Sequence, residues 1–192
     1  MNNKKYNVIA GIDYSLTGPA ICVHNGVGEF NFDNCEFFFL CGTKKYTGKW
    51  LHNINGESFT EWNESCERYE SIADWAVDIC LGCTEVVLED YAYGAKGKVF
   101  HIAENTGVLK YKLYQMSIPT GVVSPTHVKK LATGKGNANK QAMHDAFFAE
   151  TGMNLKGLMT PDKKEISSPV TDIVDSYYIC KYLYQTLNQT QP

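Results

Sequence analysis

The chain has 192 residues, of which 44% are hydrophobic and 12% aromatic, so it is not a disordered protein and can bury one substantial core. The net charge of −3 argues, taken alone, against a nucleic-acid-binding protein. No stretch reaches the roughly 20 apolar residues that span a bilayer. We therefore expect a cytoplasmic protein with seven reduced cysteines rather than a membrane or disulfide-rich protein.

The charge is distributed unevenly along the chain. Residues 1–93 carry −8, residues 94–140 carry +7 and residues 141–192 carry −2. A basic middle segment between acidic ones suits a phosphate-binding face beside a carboxylate site. The alternative interpretation is a solvated, lysine-rich face that binds nothing.

The first predicted element is a β-hairpin within residues 6–23. Two apolar runs, 8–12 and 20–23, are joined by a short turn, and Asp13 ends the first run. A carboxylate held at the end of a buried strand suits metal or phosphate chemistry. It is equally suited to accept hydrogen bonds from the backbone of the turn, so Asp13 alone does not define a site.

The next predicted elements lead to a second acid. Residues 29–40 are rich in aromatic side chains and predict a third strand, whereas the Gly- and Asn-rich segment 41–57 predicts a long loop. Ser58 and Glu61 have capping-box spacing and precede a helix predicted over about 60–81.

The apolar run that follows this helix ends in Glu89, in the same pattern as Asp13. A strand reached through a helix usually lies parallel to an earlier strand of the sheet. We therefore expect Asp13 and Glu89 at the same end of the sheet, within reach of one ion. Aromatic and basic residues that can stack on bases and hold phosphates then alternate, although core packing of the tyrosines is the alternative. They are Tyr91, Tyr93, Lys96 and Lys98.

The basic middle segment continues through a helix over about 99–116 and a fifth strand over 119–123. A helix is predicted to start at Ser124 and Pro125. A flexible turn then leads into a helix over about 139–151. The turn and the helix N-terminus suit a phosphate, although the spacing is not that of a Walker A loop. The basic residues of these two helices and the turn are Lys129, Lys130, Lys135 and Lys140.

The last predicted helix follows a polar loop over 153–167 and opens at Ser168. Asp172 and Asp175 lie three residues apart near its start and project from one face. They either complement the helix dipole or join the two earlier acids.

Four segments, taken in order, resemble the RuvC family of Holliday-junction resolvases in the RNase H-like superfamily, and phage-encoded members above all. They are GIDYSLTG, the strand ending at Glu89, SPTHVKKLATGKGNANK and the DIVD helix. The resemblance spans about residues 8–183 and implies a single α/β nuclease domain over 1–192, with a mixed five-stranded sheet flanked by helices. The segment 41–57 is longer than in bacterial members.

The resemblance also implies the residues of the site. It places four metal-binding acids at Asp13, Glu89, Asp172 and Asp175, DNA-binding lysines at Lys129 and Lys140, and a stacking aromatic at Tyr91 or Tyr93. Four crowded carboxylates repel one another unless cations keep them ionised, and two Mg²⁺ ions, or Mn²⁺ in their place, would do so.

The implied activity is paired, symmetric cutting of a four-way DNA junction by a homodimer. One alternative is an RNase H-like nuclease that acts on flaps, D-loops or RNA–DNA hybrids. Another is a protein that binds junctions without cutting them. An actin-like ATPase needs two related domains and a second Gly-rich phosphate loop, and the chain has neither.

Overall fold

A computed structural model describes residues 7–90 and 99–189 of the chain. In these residues, seven strands form one mixed sheet with helices on both faces. The strands are β1 (Ile9–Asp13), β2 (Ala20–His24), β3 (Cys35–Cys41), β4 (Gly48–Leu51), β5 (Ile54–Ser58), β6 (Glu85–Glu89) and β7 (Thr120–Val123). The helices are α1 (Ser65–Cys80), α2 (Val99–Gln115), α3 (Pro125–Thr133), α4 (Lys140–Thr151), α5 (Leu155–Met159) and α6 (Val170–Gln189).

The order of the strands across the sheet is β4-β5-β3-β2-β1-β6-β7. Strand β6 is parallel to both β1 and β7, and β3 is parallel to β5, while β2 runs antiparallel to β1 and β3. Strands β1, β3, β5, β6 and β7 therefore all end at the same side of the sheet. We call this side the carboxyl edge.

Two layers of buried side chains cover the two faces of the sheet, because successive residues of a strand point to opposite faces. On one face, Ile9 packs with residues of α3, α4, α5 and α6. On the other face, Ala10 and Ile12 pack with residues of α1 and α2. None of the described helices is long and apolar enough to cross a bilayer.

The predicted α/β sheet is confirmed, but the prediction of five strands is wrong. The segment predicted as a loop over 41–57 forms β4 and β5, which add two strands at one side of the sheet. This segment is rich in Gly, Asn and Lys, so the core position Ile54 was not recognised as part of a strand. Ile54 is fully buried opposite Phe37 of β3. Sheet pairing outweighed the low strand propensity of this segment.

Two further local predictions are corrected. Helix α1 begins at Ser65, five residues later than predicted, and Ser58 belongs to β5, so the Ser58–Glu61 pair is not a capping box. The loop predicted over 153–167 contains the short helix α5. By contrast, the predicted first hairpin is confirmed, as is the cap of α3, because the Ser124 side chain accepts a backbone hydrogen bond. The helix predicted over about 139–151 is also confirmed as α4, and the Asn139 side chain caps its start.

All seven cysteines lie within the described residues and are free thiols. Six are buried, including both members of the Cys80–Cys83 pair, and Cys66 is exposed. This is the ordinary burial expected of reduced cysteines.

Candidate active site

The pairing of β1 with β6 brings the first two acids together. The strands are parallel, with Ile12 opposite Leu88, so Asp13 and Glu89 end adjacent strands at the same level of the carboxyl edge. Both side chains are half-buried. This arrangement is the one predicted from the strand–helix–strand order.

Helix α6 brings the other two acids to the same place by crossing β1 at very short range. A Cβ atom on Gly11 would lie 2.1 Å from the backbone nitrogen of Cys180, so only glycine permits this approach. Cys180 lies five residues beyond Asp175. The first turns of α6, which carry Asp172 and Asp175, therefore lie over the end of β1.

A second glycine accommodates Asp172. A Cβ atom on Gly18, in the turn between β1 and β2, would lie 2.6 Å from Oδ2 of Asp172. The other carboxylate oxygen, Oδ1, accepts a hydrogen bond of 2.9 Å from the Thr171 hydroxyl. Oδ2 is buried and has no hydrogen-bond partner among the described residues. A buried carboxylate oxygen without a donor is a group that a cation can satisfy.

The acids influence one another's protonation. Burial raises the pKa of Asp13 well above its ordinary value, and the negative charges of Asp172, Asp175 and Glu89 raise it further. Burial also raises the pKa of Asp175 to about 7, with added repulsion from Glu89 and Asp172. The four acids thus form one electrostatic cluster drawn from three separate elements.

Two lysines partly offset this effect. Burial raises the pKa of Glu89, and the positive charge of Lys129 lowers it. Burial likewise raises the pKa of Asp172, while the nearby hydroxyls of Ser168 and Thr171 and the charge of Lys140 lower it. Lys129 and Lys140 are therefore close enough to the acids for their charges to lower the pKa of Glu89 and Asp172. A phosphate held beside the acids would need cations at such positions.

Within residues 7–90 and 99–189, no three histidine, cysteine or carboxylate side chains are arranged to hold a metal ion. The four carboxylates interact by charge without forming a closed set of ligands. Their chemistry nevertheless fits a hard divalent cation, because all are oxygen donors and one buried oxygen of Asp172 lacks a partner.

Two clefts meet at Glu89. The first, which we call the α4 cleft, has a volume of about 370 Å³ and lies between α3, α4 and α6. Glu89 and Asp175 face Lys129 and Lys140 across it, and Asn139, the N-cap of α4, also lines it. Lys130 and Lys135 are exposed and line neither cleft.

The second cleft, the α1 cleft, has a volume of about 510 Å³ and is lined by Asp13 and Glu89 on the site side. Its far wall includes Trp62 and Arg68. The guanidinium carbon of Arg68 lies 4.4 Å from the centroid of the Trp62 ring, and the group donates a hydrogen bond to the carbonyl of Leu16. Arg68 thereby ties α1 to the turn that follows Asp13.

No motif in the sequence predicted the residues of this far wall. One signal was available, because Arg68 is the only arginine of the chain. The wall also holds Tyr69, whose hydroxyl lies 2.8 Å from Nδ1 of His101 and donates to Glu104 at 3.2 Å. The predicted DNA contacts Tyr91, Tyr93, Lys96 and Lys98 lie outside the described residues.

Comparisons with solved structures identify the fold. The Thermus thermophilus RuvC structure matches with a TM-score of 0.57 and 15% identity, covering 93% of this chain and 96% of that one. T. thermophilus RuvC in complex with a Holliday junction substrate matches with a TM-score of 0.62 and 16% identity, covering 94% and 96%. The chain therefore has the RuvC fold, in the predicted RNase H-like class.

The yeast mitochondrial Holliday junction resolvase Ydc2 matches more weakly, with a TM-score of 0.44 and 13% identity, covering 97% of this chain and 85% of that one. No protein-family model matches the chain. No curated protein sequence matches it either.

Proposed function

We propose that the chain is a metal-dependent endonuclease that resolves four-way (Holliday) DNA junctions by hydrolysing phosphodiester bonds in two opposed strands. The observation that carries this proposal is the electrostatic cluster of four acids beside Lys129 and Lys140. The cluster lies on the fold of RuvC, and one RuvC structure contains a Holliday junction substrate.

In this proposal Asp13, Glu89, Asp172 and Asp175 hold two Mg²⁺ ions, which Mn²⁺ can replace. When bound, the ions supply an activated water for in-line attack and stabilise the leaving oxygen. The unpartnered Oδ2 of Asp172 supports a ligand role for this residue. The Thr171 hydroxyl orients the same carboxylate through Oδ1.

Lys129 and Lys140 hold the phosphates beside the cut bond, because they face the acids across the α4 cleft. Lys130 and Lys135 are exposed nearby and attract DNA at longer range. Contacts from Tyr91, Tyr93, Lys96 and Lys98 remain predictions, as do a cytoplasmic location and a phage origin.

A homodimer would present two such sites to opposed strands, since paired nicks need two-fold symmetry. The exposed face of α2 supports this part of the proposal. Phe100, Tyr111 and Tyr114 are 76%, 61% and 77% exposed and recur at helical spacing. Gly107 lies on the same face with open space where a side chain would be, so a second helix can approach closely. Analytical ultracentrifugation of Tyr111→Lys tests this, with a wild-type dimer and a monomeric variant expected.

The deciding experiment is incubation of the protein with a synthetic four-way junction, with Mg²⁺ and with chelator, followed by mapping of the ends. We expect symmetric nicks with Mg²⁺ and none with chelator. Equal cutting of a linear RNA–DNA hybrid would instead indicate an RNase H-like nuclease. Binding with and without Mg²⁺ but no cutting would indicate a junction-binding protein.

A further inference from the structure

The turn before β4 places two lysines at the carboxyl edge. Strand β4 is antiparallel to β5, with Gly48 opposite Gly56, so the turn Lys44–Tyr46 lies at the side of the sheet where β5 ends. Asp13 and Glu89 end their strands at this same side. Lys44 and Lys45 therefore lie at the same edge of the sheet as the proposed active site rather than at the opposite edge.

This turn is firmly held. The amide of Tyr46 donates to the carbonyl of Thr43, and both the amide and the hydroxyl of Thr47 donate to the carbonyl of Lys44, at 3.0, 3.2 and 2.8 Å. A Cβ atom on Gly56 would lie 2.2 Å from the carbonyl oxygen of Tyr46, so the turn packs directly on the backbone of β5. The two lysines thus project from a fixed base.

Lys163 links this turn to the acids. Its ammonium lies 5.9 Å from the centroid of the Tyr46 ring, and that of Lys45 lies 5.7 Å from it. The same ammonium of Lys163 donates a hydrogen bond of 2.9 Å to the Ser167 hydroxyl. The next residue, Ser168, lies beside Asp172, since its hydroxyl oxygen and Oδ2 of Asp172 lie 3.3 and 2.6 Å from the position of a Cβ atom on Gly18. A continuous path of contacts therefore runs from Asp172 to the turn.

The charge of this region is concentrated. Residues 42–56 contain Lys44, Lys45 and Lys49 and no acidic residue, within an N-terminal half that is otherwise strongly acidic. Lys49 has a separate explanation, because a lysine on an exposed edge strand such as β4 discourages pairing with another sheet. Lys44 and Lys45 precede the strand and have no such explanation. In the loop of Lys163, Asp162 and Glu165 balance Lys163 and Lys164, so the excess charge comes from the turn.

We propose that Lys44, Lys45 and Lys163, which we call the hairpin patch, bind the phosphate backbone of a DNA arm that leaves the active site on the β4–β5 side. This inference rests on the proposed function. Lys129 and Lys140 hold the strand on one side of the acids, and the hairpin patch holds it on the other. The two added strands thereby extend the DNA surface of the fold.

The sheet sets the distance at which the patch acts. Four strand spacings separate β4 from β1, which is about 19 Å. At 3.4 Å per base pair, this corresponds to about six base pairs of duplex. The patch therefore contacts phosphates about six nucleotides from the bond that is cut.

The test is junction binding by the triple variant Lys44→Gln/Lys45→Gln/Lys163→Gln, measured with chelator over a series of salt concentrations. The slope of log K against log salt is negative, and each lost phosphate contact makes it less steep by about 0.9. For three lost contacts we expect a slope less steep by about 2 to 3. The triple Lys→Arg variant keeps the charge and should retain the wild-type slope. In ethylation interference, blocked phosphates about six nucleotides from the cut should weaken binding by the wild type but not by the Gln variant.

The control is Lys112→Gln, which removes one charge near the end of α2, on the side of the sheet opposite the acids. It should leave both the slope and the interference pattern unchanged. A Gln triple variant with the wild-type slope would overturn the hairpin patch and leave the nuclease proposal standing. A wild-type protein that neither binds nor cuts junctions would overturn the nuclease proposal, and the patch with it.

Discussion

The two clefts that meet at Glu89 are built from different chemistry. The α4 cleft places two lysines, Lys129 and Lys140, and the N-cap of α4, Asn139, opposite the acids Glu89 and Asp175, so it offers positive charge beside the acids. The α1 cleft presents Trp62 and Tyr69, and Arg68, which also lines it, is already stacked on Trp62 and bonded to the turn after Asp13.

In the proposed nuclease, this difference means that each cleft binds a different part of the DNA strand. The charged backbone of a strand is favoured in the α4 cleft, where counterions are released when phosphates meet lysines. Sugars and bases are favoured against the aromatic wall of the α1 cleft. Glu89 lines both clefts, Asp13 lines the α1 cleft and Asp175 lines the α4 cleft, so the proposed nuclease would cut a phosphodiester bond held where the two clefts meet.

The largest expected effect comes from changing an acid of the cluster where the two clefts meet. Asp13→Asn keeps the size of the side chain but removes a charge from the acid cluster. We expect cleavage of a four-way junction to fall by about 10³-fold or more while binding is retained. The matched control is Asp78→Asn, an exposed acid in the last turn of α1, which should cut normally. Normal cutting by Asp13→Asn would remove Asp13 from the site.

The second prediction concerns the α4 cleft. Lys129→Ala and Lys140→Ala should each weaken junction binding about 5- to 10-fold and reduce the salt slope by about 1. Lys130→Ala, at an exposed neighbour outside the cleft, should have a smaller effect. Binding titrations over a salt series measure all three. Equal effects at Lys129 and Lys130 would show that the cleft itself does not select phosphates.

The third prediction concerns the α1 cleft. Trp62→Ala should weaken junction binding about 5-fold, in line with the loss of one stacked base, and should leave the salt slope unchanged. Trp62→Phe keeps an aromatic face and should recover most of the affinity. Phe148, which is 46% exposed on α4 and lines neither cleft, provides the control Phe148→Ala. A reduced salt slope in Trp62→Ala would contradict the proposed division between the clefts.

The smallest expected effect is on stability. The pKa of Asp175 is raised to about 7 in the folded protein from an ordinary value of 3.8, so the folded state loses stability as the pH rises from about 4 to about 7 and loses no more above that. In chelator, Asp175→Asn should gain a few degrees in Tm over the wild type between pH 5 and pH 8. Thermal melts at several pH values measure this. A Tm difference between Asp175→Asn and the wild type that does not depend on pH would show that Asp175 is not in a shared acidic cluster. Added Mg²⁺ should make this Tm difference smaller.

Local sequence pattern was sufficient to predict most of the elements around the site. An apolar run that ends in an acid predicted both β1 with Asp13 and β6 with Glu89, because side-chain burial along a strand is a local property. Ser124, followed by Pro125, predicted the start of α3 for the same reason, since an N-cap bonds only to its own helix.

The β4–β5 hairpin could not be predicted in this way. Its strands are short and polar, and they are stabilised by pairing β5 with β3 and by the burial of Ile54. These contacts join segments whose proximity depends on the whole sheet. The contribution of Lys44 and Lys45 to a surface beside the acids therefore has no local signature.

The sequence by itself determined which residues are acidic, which segments form the central strands and where the basic helices begin, because each depends on neighbours in the chain. Only the tertiary structure decided that four of those acids come close enough to interact by charge, since this depends on α6 crossing Gly11 within contact distance. It also decided that Arg68 and Trp62 form the second wall of the site. Close packing between distant segments fixes such distances, and no local pattern encodes them.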